Sequence, residues 1–493
     1  MVRWEVVLVL AAFGQLVHAT VPDFLAPDSD DVPGHVEQSA FLDELEQIVG
    51  PGHRKVAEFN LQGITAILRT TFVALPKTER GGLSASAARY TIHRYFIQRH
   101  GWQVKGLAPL GGSWLPSKPP LGMGNHLPPR LRDLFEERFN AENYDLNGIA
   151  LITASIEALI HAEAVRRLHT AYQVLAIDTQ ADLTAQEAVD TICACITTGY
   201  NTSQIFAAQL ESTRRAVTEA QQKVAPDLVV YKFADVAKIL EVALQEIGHH
   251  VDEGYCQDMA DKLVAMQEDS GRVKLADFYT SYLDKGVPYF QERPEYLRQS
   301  GALDESDPSV PRVIIPNYLV TPLNCQNVSS YYDLCCIDLC EDLFTELEMR
   351  LKAPQAKPAE ILKILTTVPS AYVPAGRTWT DSLTKKLGEV AEHHGGEVPL
   401  HGRLFAQWMH FAYPFECPYP HLSGATRPQT KGEWFDETGM PSSATQTEMR
   451  DIIGALKNPS GPASCGESEE GMCMWHPEEE LVDAVNWKAP LIM

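Results

Sequence analysis

Apolar positions recur at helical spacing along most of this chain. The periodicity begins at Phe41 and is clear over 63–75. A second helix is predicted to open at an N-cap, Ser84. It carries Tyr90, Ile92, Tyr95, Phe96 and Ile97 and stops at Gly101. The strongest helical stretch is 131–177, where Ile149, Ile152, Ile156, Leu159, Leu168, Tyr172 and Leu175 fall close to one period. Further helices are predicted over 185–198, 203–224, 235–247 and 255–266. A late one follows a Thr445/Glu448 capping box, with Met449, Ile452, Ile453 and Leu456 as its stripe. This pattern predicts an all-α protein of several helical subdomains.

Glycine and proline punctuate the pattern. The stretch 104–130 is rich in both and reads as a long connection, while 287–323 reads as an extended linker with one short strand at Val313-Ile314-Ile315. The predicted organisation is therefore a leader at 1–19, an entry segment at 20–36, and a helical unit at 37–103. After the 104–130 connection come a central helical domain at 131–286, the linker at 287–323, and a Cys- and His-rich helical domain at 324–425. A loosely ordered acidic tail is expected at 426–493.

The leader sets the expected compartment. Arg3 precedes an apolar run from Val6 to Phe13, and Val17-His18-Ala19 offers the small residues of a cleavage site. The run is too short to span a bilayer, so it reads as a secretory signal, with no transmembrane segment expected after it. Asn201 and Asn327 head acceptor sequons. Ten cysteines fit an oxidising lumen, and Cys325, Cys335, Cys336 and Cys340, crowded together, predict a disulfide-stapled loop. The net charge of −24 disfavours nucleic acid and anionic lipid as partners.

Four places share one local grammar: a helix, a polar turn, an isolated apolar residue, then a second helix. The apolar residues are Leu83, Leu183, Val273 and Val398, and three of the four have glycine two positions earlier, at Gly81, Gly271 and Gly396. These units resemble the EF-hand, whose loop has a turn glycine and an apolar residue that pairs with a neighbouring loop. The resemblance implies helix-loop-helix pairs and invites calcium. The ligands mostly refuse it, because Pro76, Ala176, Met266 and Ala391 stand at the first ligand position. The fullest remaining set is Glu268, Ser270 and Asp277, for which weak millimolar binding is the most expected. The whole chain also resembles uncharacterised secretory proteins of dinoflagellate algae, which carry no function with them.

A metal centre is the other chemistry on offer. His393, His401, His410 and His421 crowd one stretch beside Glu416 and Cys417, and three co-facing imidazoles suit zinc or copper. No HxxxH or HExxH spacing supports this, and hydrolase and P-loop motifs are missing too. Two functional readings stay open. One is a non-enzymatic helical module with no cofactor beyond weak calcium, binding a protein partner. The other is a metal-dependent enzyme centred on 393–421.

Overall fold

The computed structural model describes residues 53–107, 143–197, 207–267, 271–456, 472 and 474–482. The leader, the entry segment, Asn201, Glu268 and Ser270 lie outside them, as do the 104–130 connection beyond 107 and the tail beyond 482. The described residues are mostly helical, and they fall in one unit, Leu45–Met493, by their contacts.

Helix α1 (His53–Ala74) leads through Leu83 into α2 (Ala85–His100). Both predicted ends of α2 are present: the Ser84 hydroxyl accepts from the Ala87 amide, and Gly101 closes the helix at φ 64°. The chain then enters β1 (Trp102–Val104). Tyr144 follows, and Asp145 caps α3 (Leu146–Val174) by accepting from the Gly148 amide at 2.7 Å. Leu83 and Tyr144 exchange both backbone hydrogen bonds, at 2.8 and 2.9 Å.

The same arrangement recurs downstream. Helix α3 runs through Leu183 into α4 (Ala185–Thr197); α5 (Ala207–Val224) runs through Tyr231 into α6 (Phe233–Val251). Leu183 and Tyr231 exchange bonds at 2.9 and 2.8 Å. A π-helical turn, Asp252–Cys256, joins α6 to α7 (Gln257–Val264). The break expected between 247 and 255 is therefore absent, and one rod connects successive loops.

Beyond α7, β2 (Arg272–Lys274) and α8 (Leu275–Lys285) pair with a loop that the sequence disguises. The passage 287–323, expected as a linker, holds α9 (Pro294–Gln299), β3 (Leu303–Asp304), β4 (Arg312–Ile314) and α10 (Ile315–Val320). Pro294 and Pro316 start helices instead of breaking them, because an N-terminal position needs no amide donor. Val273 lies opposite Val313 in the antiparallel β2–β4 pair. Strands β5 (Gln326–Asn327) and β6 (Tyr332–Leu334) then form a hairpin against β1.

The last pair is α11 (Cys340–Leu351), β7 (Gln355–Ala356) and α12 (Pro358–Thr367), facing α13 (Asp381–His393), β8 (Val398–Pro399) and α14 (Arg403–Ala412). Ala356 lies opposite Val398. The stripe Leu404, Phe405, Trp408 and Ala412 is buried, and the Trp408 indole donates to the Leu383 carbonyl at 2.8 Å. After α15 (Lys431–Thr438) comes α16 (Gln446–Leu456), opened by the predicted Thr445/Glu448 box.

The acidic tail, over its described part, is docked and not loose. Glu479 accepts from the Leu404 amide at 2.9 Å, completing the start of α14 where Gly402 has no capping side chain. The Arg403 guanidinium holds the strap through the carbonyls of His476 and Glu478, at 3.0 and 3.1 Å. One described helix, α3, is long and apolar enough to cross a membrane; 67% of its most apolar window is buried inside the fold.

Gly271, in the third pair, packs against the segment that follows α14. It sits at φ +66°, and an added Cβ would lie 2.0 Å from the Pro414 carbonyl oxygen. Gly396, in the matching place of the fourth pair, has φ +109° and open space. Gly396→Ala should cost only backbone strain, on the order of 1 kcal/mol. Gly271→Ala adds a clash with main chain and should lose clearly more, about 3 kcal/mol or above, in urea unfolding.

Candidate functional site

The densest polar chemistry is a buried ionic knot that the sequence did not advertise. Arg94 of α2 is 2% exposed. Its guanidinium pairs with Glu348 and with Glu341, both on α11, and donates to Thr345 Oγ1 at 2.8 Å and the Glu341 carbonyl at 3.1 Å. Glu348 also accepts from Thr71 of α1 at 3.1 Å, and its Oε1 lies 2.8 Å from His401 Nε2. A carboxylate only accepts, so His401 donates there. The knot thus ties α1 and α2 to α11 and to the turn before α14.

Each charge in it carries a different environment. Burial pushes the Glu341 carboxyl up despite Arg94, and pushes Asp338 well up, with the Glu341 charge adding to the effect. Burial works the same way on Glu348, yet Arg94, His401 and Thr71 together hold it below the ordinary glutamate value. One guanidinium therefore serves two acids unequally: Glu348 stays ionised, and Glu341 retains its proton to higher pH.

The predicted histidine centre disperses. His393 is exposed at the end of α13. His401 precedes α14 instead of lying on it, and belongs to Glu348. His410 is fully buried; its Nδ1 donates to the Cys417 carbonyl at 2.8 Å, and burial and Arg272 push it down to about 3. His421 Nε2 donates to the Gly301 carbonyl at 2.8 Å. Four imidazoles have four separate surroundings.

Among the described residues, one set of three metal-capable groups lies within 4.8 Å: Asp252, Cys256 and Cys336. Two of its three members are joined as a disulfide. The four predicted cysteines are all in disulfides, as Cys325–Cys335, Cys256–Cys336 and Cys340–Cys417. The staple is therefore wider than a local loop, since two bridges reach outside 324–340. Cys193 and Cys195 are buried thiols.

In three of the paired loops, the acid four residues beyond the bridging residue folds back onto the start of its own helix. Glu187 accepts from the Thr184 amide and hydroxyl, both at 2.8 Å. Asp235 accepts from the Lys232 amide at 3.0 Å and Glu360 from the Lys357 amide at 3.3 Å. These carboxylates cap helices. Asp277, in the third loop, is exposed in the first turn of α8.

A small cleft opens between α3, α4, α6 and the β5–β6 hairpin. Ile160, Ala164, Ile196, Leu240, Leu244 and Ile247 make it apolar. Its charged residues are engaged: Arg167 donates to the carbonyls of Val328, Cys195 and Ile196, and Glu163 accepts from Ser329 and from the Ser330 amide. The aliphatic lining is itself nearly all buried, with Ile160, Ile196, Leu240 and Ile247 at most 3% exposed.

No protein-family model, curated protein or solved structure matches this chain.

Arg94 is the residue on which the knot turns. Arg94→Met leaves two carboxyls buried without their cation and should cost about 3–5 kcal/mol at neutral pH. The loss should shrink under acid, as the carboxyls take up protons, and Arg94→Met/Glu348→Gln should recover part of it in chemical unfolding. A second prediction concerns Asp252, which burial pushes up to about 6. A carboxyl raised in the folded state favours folding at low pH, and that contribution is lost as pH rises through about 6. Asp252→Asn, which keeps an acceptor for the Ile337 amide, should flatten stability between about pH 4 and 7.

Proposed function

We propose that this chain is a secreted or lumenal, non-enzymatic binding protein, built from pairs of EF-hand-like helix-loop-helix units, that receives apolar side chains of a protein partner in the α3–α4–α6 cleft. The observation carrying this reading is the cleft itself: aliphatic walls, with Arg167 and Glu163 engaged in tying those walls together. Such a surface suits one face of an amphipathic helix. Three disulfides fit an oxidising compartment. The loop bridges at Leu83, Leu183, Val273 and Val398 support kinship in form with EF-hand pairs, with the loops serving as structural joints.

The metal-dependent enzyme centred on 393–421 has less support, because His401, His410 and His421 each donate to a different acceptor. Calcium has little support too. Three acids that could face a cation cap helices, and Asp277 stands exposed without its loop's first ligand. Any binding at 266–277 belongs in the range of about 10⁻⁴ to 10⁻³ M.

Calorimetry with calcium should give no micromolar isotherm; one abolished by Asp277→Ala would contradict the structural role of the loops. For the cleft, a fluorescein-labelled, uncharged Leu/Gln amphipathic helix is the probe. Saturable binding is expected, and Leu244→Gln, which puts a polar group on the half-buried part of the cleft wall, should weaken it at least about tenfold. No saturable binding, or binding unchanged by the glutamine, would contradict the reading.

A further inference from the structure

The β5–β6 hairpin carries the sequon Asn327-Val328-Ser329, and folding treats its residues differently. Asn327 is exposed, whereas Val328 and Ser329 are 3% and 6% exposed. The Ser329 hydroxyl donates to Glu163 of α3 and accepts from the Tyr331 amide at 3.0 Å. Its carbonyl accepts from Lys105 Nζ at 2.6 Å, and the Val328 carbonyl accepts from Arg167. Cys325–Cys335 closes the hairpin around the sequon. The acceptor asparagine is thus open to solvent, while the hydroxyl two residues on, which completes the sequon, is locked under α3.

We propose that Asn327 is an N-glycan acceptor that can be modified only before the hairpin closes onto α3. The proposal rests on the lumenal reading for its setting. The donor class is a lipid-pyrophosphate-linked oligosaccharide. The Asn327 amide nitrogen attacks the anomeric carbon and loses a proton. One C–N bond forms, one C–O bond breaks, and the lipid pyrophosphate departs. A transferase must take the sequon as an accessible, extended peptide with its serine hydroxyl available. In the folded chain that hydroxyl is committed to Glu163, and both following carbonyls are held by cations. Releasing them means opening the hairpin, its disulfide and one wall of the cleft together.

The finished glycan is compatible with the fold. Asn327, the last residue of β5, is exposed, while Val328, the first residue beyond it, lines the cleft. The sugar leaves the cleft open.

The test uses the purified full chain, unglycosylated, in two states: native and oxidised, or reduced and carboxamidomethylated. Each is given a single-subunit oligosaccharyltransferase and lipid-linked oligosaccharide, and the Asn327 peptide is weighed by mass spectrometry, apart from Asn201. The alkylated chain should be modified at Asn327 at least about tenfold faster than the native one. Glu163→Ala/Lys105→Ala should raise native-state modification, and Ser329→Ala should abolish it in both states. Equal rates for the two states, or no modification of either, would overturn the proposal. Since both arms run in vitro, a chain that behaves as expected here but stays cytosolic in secreting cells would overturn the lumenal reading alone.

Discussion

A helix-loop-helix unit cannot bury its own loop, and this fold depends on loops meeting in antiparallel pairs. Leu83 with Tyr144 and Leu183 with Tyr231 each exchange two backbone hydrogen bonds; Val273 with Val313 and Ala356 with Val398 occupy the same place in short ladders. Buried amides and carbonyls must be paired, so each bridge satisfies both chains at once and sets the helices on either side. Long elements follow from this. Helix α3 leaves one loop and enters the next, and α6, the π-turn and α7 do the same. The bridges and the capping carboxylates at Glu187, Asp235 and Glu360 join the described loops to the helices that follow them.

The Arg94 knot does for the first and last pairs what the bridges do within a pair. It brings together α1, α2, α11 and the turn at His401, residues far apart in sequence. A buried ion pair is a weak source of net stability beside a well-packed apolar alternative. What it supplies is geometry: a guanidinium with two carboxyls, two hydroxyls and an imidazole around it accepts few other arrangements. Cys340–Cys417 fixes the first residue of α11 covalently to the segment after α14.

Much of the local structure was legible in the sequence. Ser84, Gly101, the Thr445/Glu448 box and the Leu404–Ala412 stripe all act as local chemistry dictates. Leu83, Leu183, Val273 and Val398 were found because a helix, a turn and an apolar residue recur together. Their partners were missed because Tyr144, Tyr231, Val313 and Ala356 lack the glycine two positions earlier. A signal for all four was present: each stands just before an N-cap and a helix, as in Tyr144-Asp145-Leu146. The knot was hidden because a charged residue on a helix reads as solvated. Glu341 and Glu348, seven apart and flanking the buried Leu343 and Leu347, were the clue to a charged core face. The histidine stretch misled in the opposite direction, since closeness along the chain did not become closeness in space.

The pairing of loops is tested most directly by native-state hydrogen exchange at the bridging amides. Leu83 and Tyr144 should open with one free energy, and Leu183 and Tyr231 with another common value, each near that of the helices around them. If one amide of a pair exchanged as fast as an exposed loop while its partner stayed protected, the paired loops would not be the unit on which the fold is built.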